Sequence, residues 1–148
     1  MKFEKDMKEW NMFGELYTLL KKCTMEHMNQ KQLWALCVEF GQKYSDEGDF
    51  DSLSYQLACD LYSYSLFDNR TCSLTFENDS EEKKMFTTFY KLCQKYWTRQ
   101  TETEDAYWNG CVKELSEFEN RFSTINGEPF ALSQAWAITV IEHWNKKN

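Results

Sequence analysis

The sequence predicts a mostly α fold: about six helices in one compact bundle, with one short extended segment over residues 71–77. Three observations predict it. The chain of 148 residues holds one Pro and five Gly, too few for the tight turns of an all-β domain. Apolar residues recur at steps of three and four along most of its length, the period of one helix face. Phe, Tyr and Trp make up 17% of residues, and such large rings fill a core even where only 42% of the chain is hydrophobic. A chain of this length is one domain by default, here residues 1–148. The alternative organisation is two subunits, 1–68 and 79–148, joined by the extended segment.

The first helix is expected from Lys5 to His27, with Met7, Trp10, Phe13, Leu16, Tyr17, Leu20, Cys23 and His27 on one face and Gly14 within it. Asn29 offers an N-cap to the second, from Gln30 to Tyr44, striped by Leu33, Cys37, Phe40 and Tyr44. The third runs from Ser52 to Leu66 and turns Leu53, Leu57, Leu61 and Tyr64 inward. Between them lies the acidic stretch Asp46-Glu47-Gly48-Asp49-Phe50-Asp51. It fails as an EF-hand loop: counted from Asp46, Gly48 comes too early and the twelfth residue is Leu57.

From Thr71 to Glu77 the period changes. Cys72, Leu74 and Phe76 alternate with polar residues, a strand pattern that requires a pairing partner. The stretch near Phe122 to Ile125, a second copy or a foreign edge would serve; the plainer reading is an ordered linker with Leu74 and Phe76 plugged into the core. The fourth helix begins after Asp79 or Ser80, with two apolar rows, Met85-Phe89-Leu92-Tyr96 and Phe86-Tyr90-Cys93-Trp97, and a basic row of Lys84, Lys91, Lys95 and Arg99 that suits a solvated face, a phosphate or an acidic partner. Thr101 to Glu104 has capping-box spacing for a fifth helix reaching Phe122. Asn126-Gly127 turns the chain, and Pro129 suits the first turn of a sixth helix, Phe130 to Asn145, apolar on nearly every side.

The stretch Phe86-Thr87-Thr88-Phe89-Tyr90-Lys91 with Lys95-Tyr96, then Glu104-Asp105-Ala106-Tyr107-Trp108, then Phe130-Ala131-Leu132 leading to Ile141-Glu142, resembles small helical proteins of gut Firmicutes that have no assigned activity and are often carried on mobile elements. The likeness covers roughly 60 residues and rests on aromatic and charge spacing. It implies an accessory bacterial or phage protein and carries no site with it.

Net charge is −7. Residues 1–78 hold 13 acids and 8 bases, and residues 79–148 hold 11 and 9, so the acidity is front-loaded. That disfavours direct nucleic-acid binding, which needs a basic patch, and suits a basic protein partner. No apolar run is long enough to span a membrane. Met1 to Trp10 lacks the apolar core of a signal peptide, which predicts a cytoplasmic protein. Six cysteines form no C-x-x-C pair, and five lie on apolar helix faces, so they read as reduced, buried thiols. Cys23 and His27, four residues apart, are the one pair that suits a metal or a thiol nucleophile. The reading that follows is a non-enzymatic protein-binding protein without cofactor, an inhibitor or adaptor. The alternatives are a thiol- or metal-dependent enzyme centred on Cys23 and His27, and a homodimer. Its expected contact residues are Asp46, Glu47, Asp49, Asp51, Cys72, Leu74 and Phe76, with Trp10, Trp97 and Trp144 as partly exposed anchors.

Overall fold

The computed structural model describes residues 2–26, 28–45, 53–67, 74–99 and 102–147. Among the described residues six helices follow one another: α1 Lys8–Met25, α2 Gln30–Tyr44, α3 Leu53–Phe67, α4 Glu81–Tyr96, α5 Glu104–Arg121 and, after a short hairpin of β1 Thr124–Ile125 and β2 Glu128–Pro129, α6 Leu132–Lys147. The fold is mostly α, as the periodicity requires. α2 and α3 share the most extensive helix–helix face, α1 packs on both, α5 packs on α4, and α6 packs on α3, α4 and α5. The buried side chains of the first three helices and the last three form one continuous cluster.

Local chemistry sets the helix starts. Asn29 accepts from the Gln32 N–H at 2.8 Å while Gln32 Oε1 accepts from the Asn29 N–H at 3.0 Å, a reciprocal capping box at the start of α2. Ser80 caps α4 through the Lys83 N–H. At α5 the cap is Thr103, which accepts from the Ala106 N–H, and Glu104 is the first helical residue; Thr101 of the expected capping box lies outside the described residues. Pro129 is also not in a helix. Asn126 and Gly127 both take positive φ, 55° and 82°, the geometry of a two-residue hairpin turn. The chain therefore doubles back, pairing Thr124 with Pro129 and Ile125 with Glu128, and α6 starts later than expected.

α6 is central. Trp136 is fully buried; its ring stacks on Phe89 of α4 with centroids 5.0 Å apart, and its Nε1–H donates to the Leu57 carbonyl of α3 at 3.1 Å. Thr139 Oγ1, one turn on, donates to Asp60 Oδ2 at 2.5 Å. The apolar girth of this helix is thus covered by the protein itself, with Ile138 its one large exposed hydrophobic residue.

Residues 74–77 take no part in a sheet. For the described part of the segment this bears out the plainer reading, an ordered linker, over the strand reading. Leu74 and Phe76 are buried, and the backbone is held by a side chain: Glu82, 1% exposed, accepts from Thr75 Oγ1 at 3.0 Å, from the Phe76 N–H at 3.2 Å and from Asn126 Nδ2 at 3.1 Å. Burial alone would raise its pKa, but hydrogen bonds from Ser80, Thr75 and Asn126 outweigh burial and hold the carboxyl below its ordinary value.

Two predictions follow from the centre of the bundle. Trp136→Phe, which keeps a ring against Phe89 but removes the bond to Leu57, costs about 2 kcal/mol of unfolding free energy in urea titrations. Asp60 is the opposite of Glu82: burial pushes its carboxyl up to about 6 from 3.8, against the hydrogen bond from Thr139. The folded state therefore binds this proton more tightly than the unfolded state. Stability present below about pH 4 is lost as pH rises through about 6, by an amount on the order of 2 kcal/mol. Asp60→Asn, which still accepts from Thr139, removes that loss, as melting temperatures of both proteins at about pH 4 and pH 7.5 will show.

Candidate functional site

Only part of the expected site falls on described residues. Asp46, Glu47, Asp49, Asp51, Cys72 and His27 lie outside the described residues. Leu74 and Phe76 face the core rather than a partner. Trp97 and Trp144 are 7% and 0% exposed, which corrects their reading as partly exposed anchors. A position near a helix end exposes a ring only if nothing folds over it. Here the segment ahead of α1 does: the Phe3 N–H donates to Gln94 Oε1 at 2.8 Å, and the Phe3 ring meets Trp97 edge-on at 5.3 Å. Trp144 is closed in against Tyr96, with centroids 6.0 Å apart. Trp10, by contrast, is 38% exposed.

Cys23 is buried in the core, as is Cys37 across the α1–α2 face. The hydrogen bond between the two thiols, and then burial, push Cys37 up, while the same bond draws Cys23 down. A nucleophile so enclosed is out of a substrate's reach without local opening. Cys59, expected on an apolar face, is exposed instead: it follows the buried Leu57 by two residues, which turns it to the other side of α3. Among the described residues, no group of three or more His, Cys, Asp or Glu is placed to hold a metal ion, and no helix is long and apolar enough to cross a membrane.

An aromatic groove lies between α1 and α4, with a volume of about 320 Å³. Trp10, Phe13, Gly14 and Tyr17 supply one wall, and Phe86, Tyr90, Thr87 and Lys83 the other. Helix geometry explains the first wall, because Trp10, Gly14 and Tyr17 succeed one another at steps of four and three. Between two aromatic rings stands a residue with no side chain: a Cβ at Gly14 would meet nothing within 4 Å. The floor is firm. Phe13 meets Tyr90 edge-on at 5.5 Å, and Phe86 lies 4.9 Å from Tyr17. Burial raises both phenols, with Glu82 adding to the effect at Tyr17, so both stay neutral hydroxyls at neutral pH. The sequence places Phe86 and Tyr90 in an apolar row of α4 and Gly14 simply within α1. The overlooked signal was that glycine, set in an aromatic face where it leaves room.

A second exposed tryptophan, Trp34 at 50%, meets Tyr62 edge-on at 5.1 Å. The cleft beside it is otherwise lined by Asn29, Gln30 and Lys31, so this ring has a polar surround rather than an apolar groove.

Compared with protein-family models, with curated proteins and with solved structures, the chain matches none.

The thiol geometry makes a direct prediction. In a Cys72→Ser background, a disulfide-exchange reagent at neutral pH labels Cys59 rapidly, while Cys23, Cys37, Cys93 and Cys111 react at least about a hundredfold more slowly, at the rate of unfolding. Fast labelling of Cys23 would show that this thiol is accessible and would restore the nucleophile reading.

Proposed function

We propose that this protein acts by binding another protein, with the α1–α4 groove as its principal contact and Trp10 as its anchor. The observation that carries this reading is an indole 38% exposed at the edge of an aromatic groove with open space at Gly14. A half-exposed Trp beside a preformed apolar depression is the usual make-up of an interface hot spot, where a partner's side chain completes the burial. The resemblance of the C-terminal helices to proteins of mobile elements gives the specific form: a cytoplasmic accessory protein, inhibitor or adaptor, directed at a host defence or nucleic-acid-binding protein. It needs no cofactor. The polar cleft at Trp34 is the weaker candidate, because one ring on a hydrated surface gains less area than a groove lined on both sides.

The reading is tested by co-purification of the tagged protein from cells that carry its gene. A stoichiometric protein partner is expected with the wild type and with Trp34→Ala. Trp10→Ala weakens that complex at least tenfold, the scale of an anchor residue, while its melting temperature stays close to that of the wild type. A partner that tolerates Trp10→Ala, or none at all with a monomeric wild type, overturns it.

A further inference from the structure

The groove does not end at Lys83 and Thr87. Those two residues also border a second cleft, about 490 Å³ in volume, on the other flank of α4. Lys84, Lys91 and Arg121 line it together with Asn78, Asp79 and Thr88. Four cations thus face one carboxylate, that of Asp79.

Among the described residues, no carboxylate lies within ion-pair distance of Lys83, Lys84, Lys91 or Arg121. Lys83 donates to the neutral Asn78 Oδ1 at 2.8 Å, and the Arg121 guanidinium lies 4.8 Å over the Phe122 ring. Two other lysines of the chain are paired. Lys95, on the same helix, meets Glu114 at 3.0 Å, and Lys43 meets Glu15 at 2.5 Å. In a protein of net charge −7, a cleft whose described lining holds four cations and one carboxylate beside an aromatic groove is a surface of defined sign. That sign is the reverse of the one the acidic stretch 46–51 leads one to expect.

We infer that groove and cleft form one recognition surface for an acidic segment of the partner protein. One apolar side chain of that segment enters the groove beside Trp10, and its carboxylates reach across α4 to Lys84, Lys91 and Arg121. This rests on the protein-binding reading above and deepens it. The two subsites lie on opposite flanks of one helix, about 10 Å apart, which is roughly three or four residues of extended chain. The occupant's pattern is therefore a large apolar residue followed, three to five positions on, by two or more Asp or Glu. An extended nucleic acid is disfavoured by the overall negative charge, which repels a polyanion beyond this one face.

The experiment is a peptide-display selection on the full-length protein, followed by affinity measurement of the best synthetic peptide. The expected peptides carry the apolar-then-acidic pattern. Their binding falls about tenfold or more with Trp10→Ala, falls similarly with Lys84→Glu/Lys91→Glu, and weakens as salt rises from about 50 to 300 mM. Lys84 and Lys91 are exposed, so the double variant keeps the wild-type melting curve. Peptides that need Trp10 but show no acidic bias and ignore the charge reversal overturn this inference and leave the groove reading standing. Enrichment of Lys- or Arg-rich peptides does the same. Absence of any Trp10-dependent peptide removes both. A single-stranded oligonucleotide that binds more tightly than the best peptide, through Lys84 and Lys91, overturns the protein-segment identity in favour of nucleic acid.

Discussion

The Trp136 ring holds the two halves of this molecule in register. It is large, fully buried and bound on two sides, stacked on Phe89 of α4 and hydrogen-bonded to the Leu57 carbonyl of α3. Stacking fixes the ring plane, and the N–H bond fixes its direction along α3. The groove depends on this joint, because one of its walls belongs to α1 in the first half and the other to α4 in the second. Contacts directly between those walls, such as Phe13 with Tyr90 and Tyr17 with Phe86, are aromatic and tolerate sliding. The buried indole behind them supplies the direction they lack.

A second constraint acts at the N-terminus of α4. Glu82 gathers the linker at Thr75 and Phe76 and the hairpin turn at Asn126, and the adjacent Glu81 accepts from the Asn126 N–H at 2.5 Å. A short loop segment without a sheet partner still has to satisfy its backbone, and here a carboxylate does so. Glu82 and Asp60 respond to pH in opposite senses. Protonating Glu82 weakens its hydrogen bonds, whereas ionising Asp60 strands a charge between α3 and α6.

Much of the fold was legible because it is written in local chemistry. Asn29 with Gln32 caps α2 where the residues said it would, Ser80 was one of two caps offered for α4, and the double row of α4 does face the core. The errors have two causes, one distant in sequence and one local. Trp97 looked like a helix-end ring until Phe3, some ninety positions earlier, covered it. Pro129 looked like the start of a helix because the turn chemistry of Asn126-Gly127 was recognised without its consequence, a pair of short strands. The groove was the least visible feature, since the same spacing that marks a core face also marks a face left partly uncovered.

Gly14 has a consequence of its own. A glycine in mid-helix sacrifices about 1 kcal/mol of helix stability relative to alanine, and nothing around this one would resist a methyl group. An alanine there would therefore stabilise the helix, while the groove would lose depth. Durability and recognition are set against each other at a single atom. Variants selected only for heat resistance would drift toward a sturdier helix with a shallower surface.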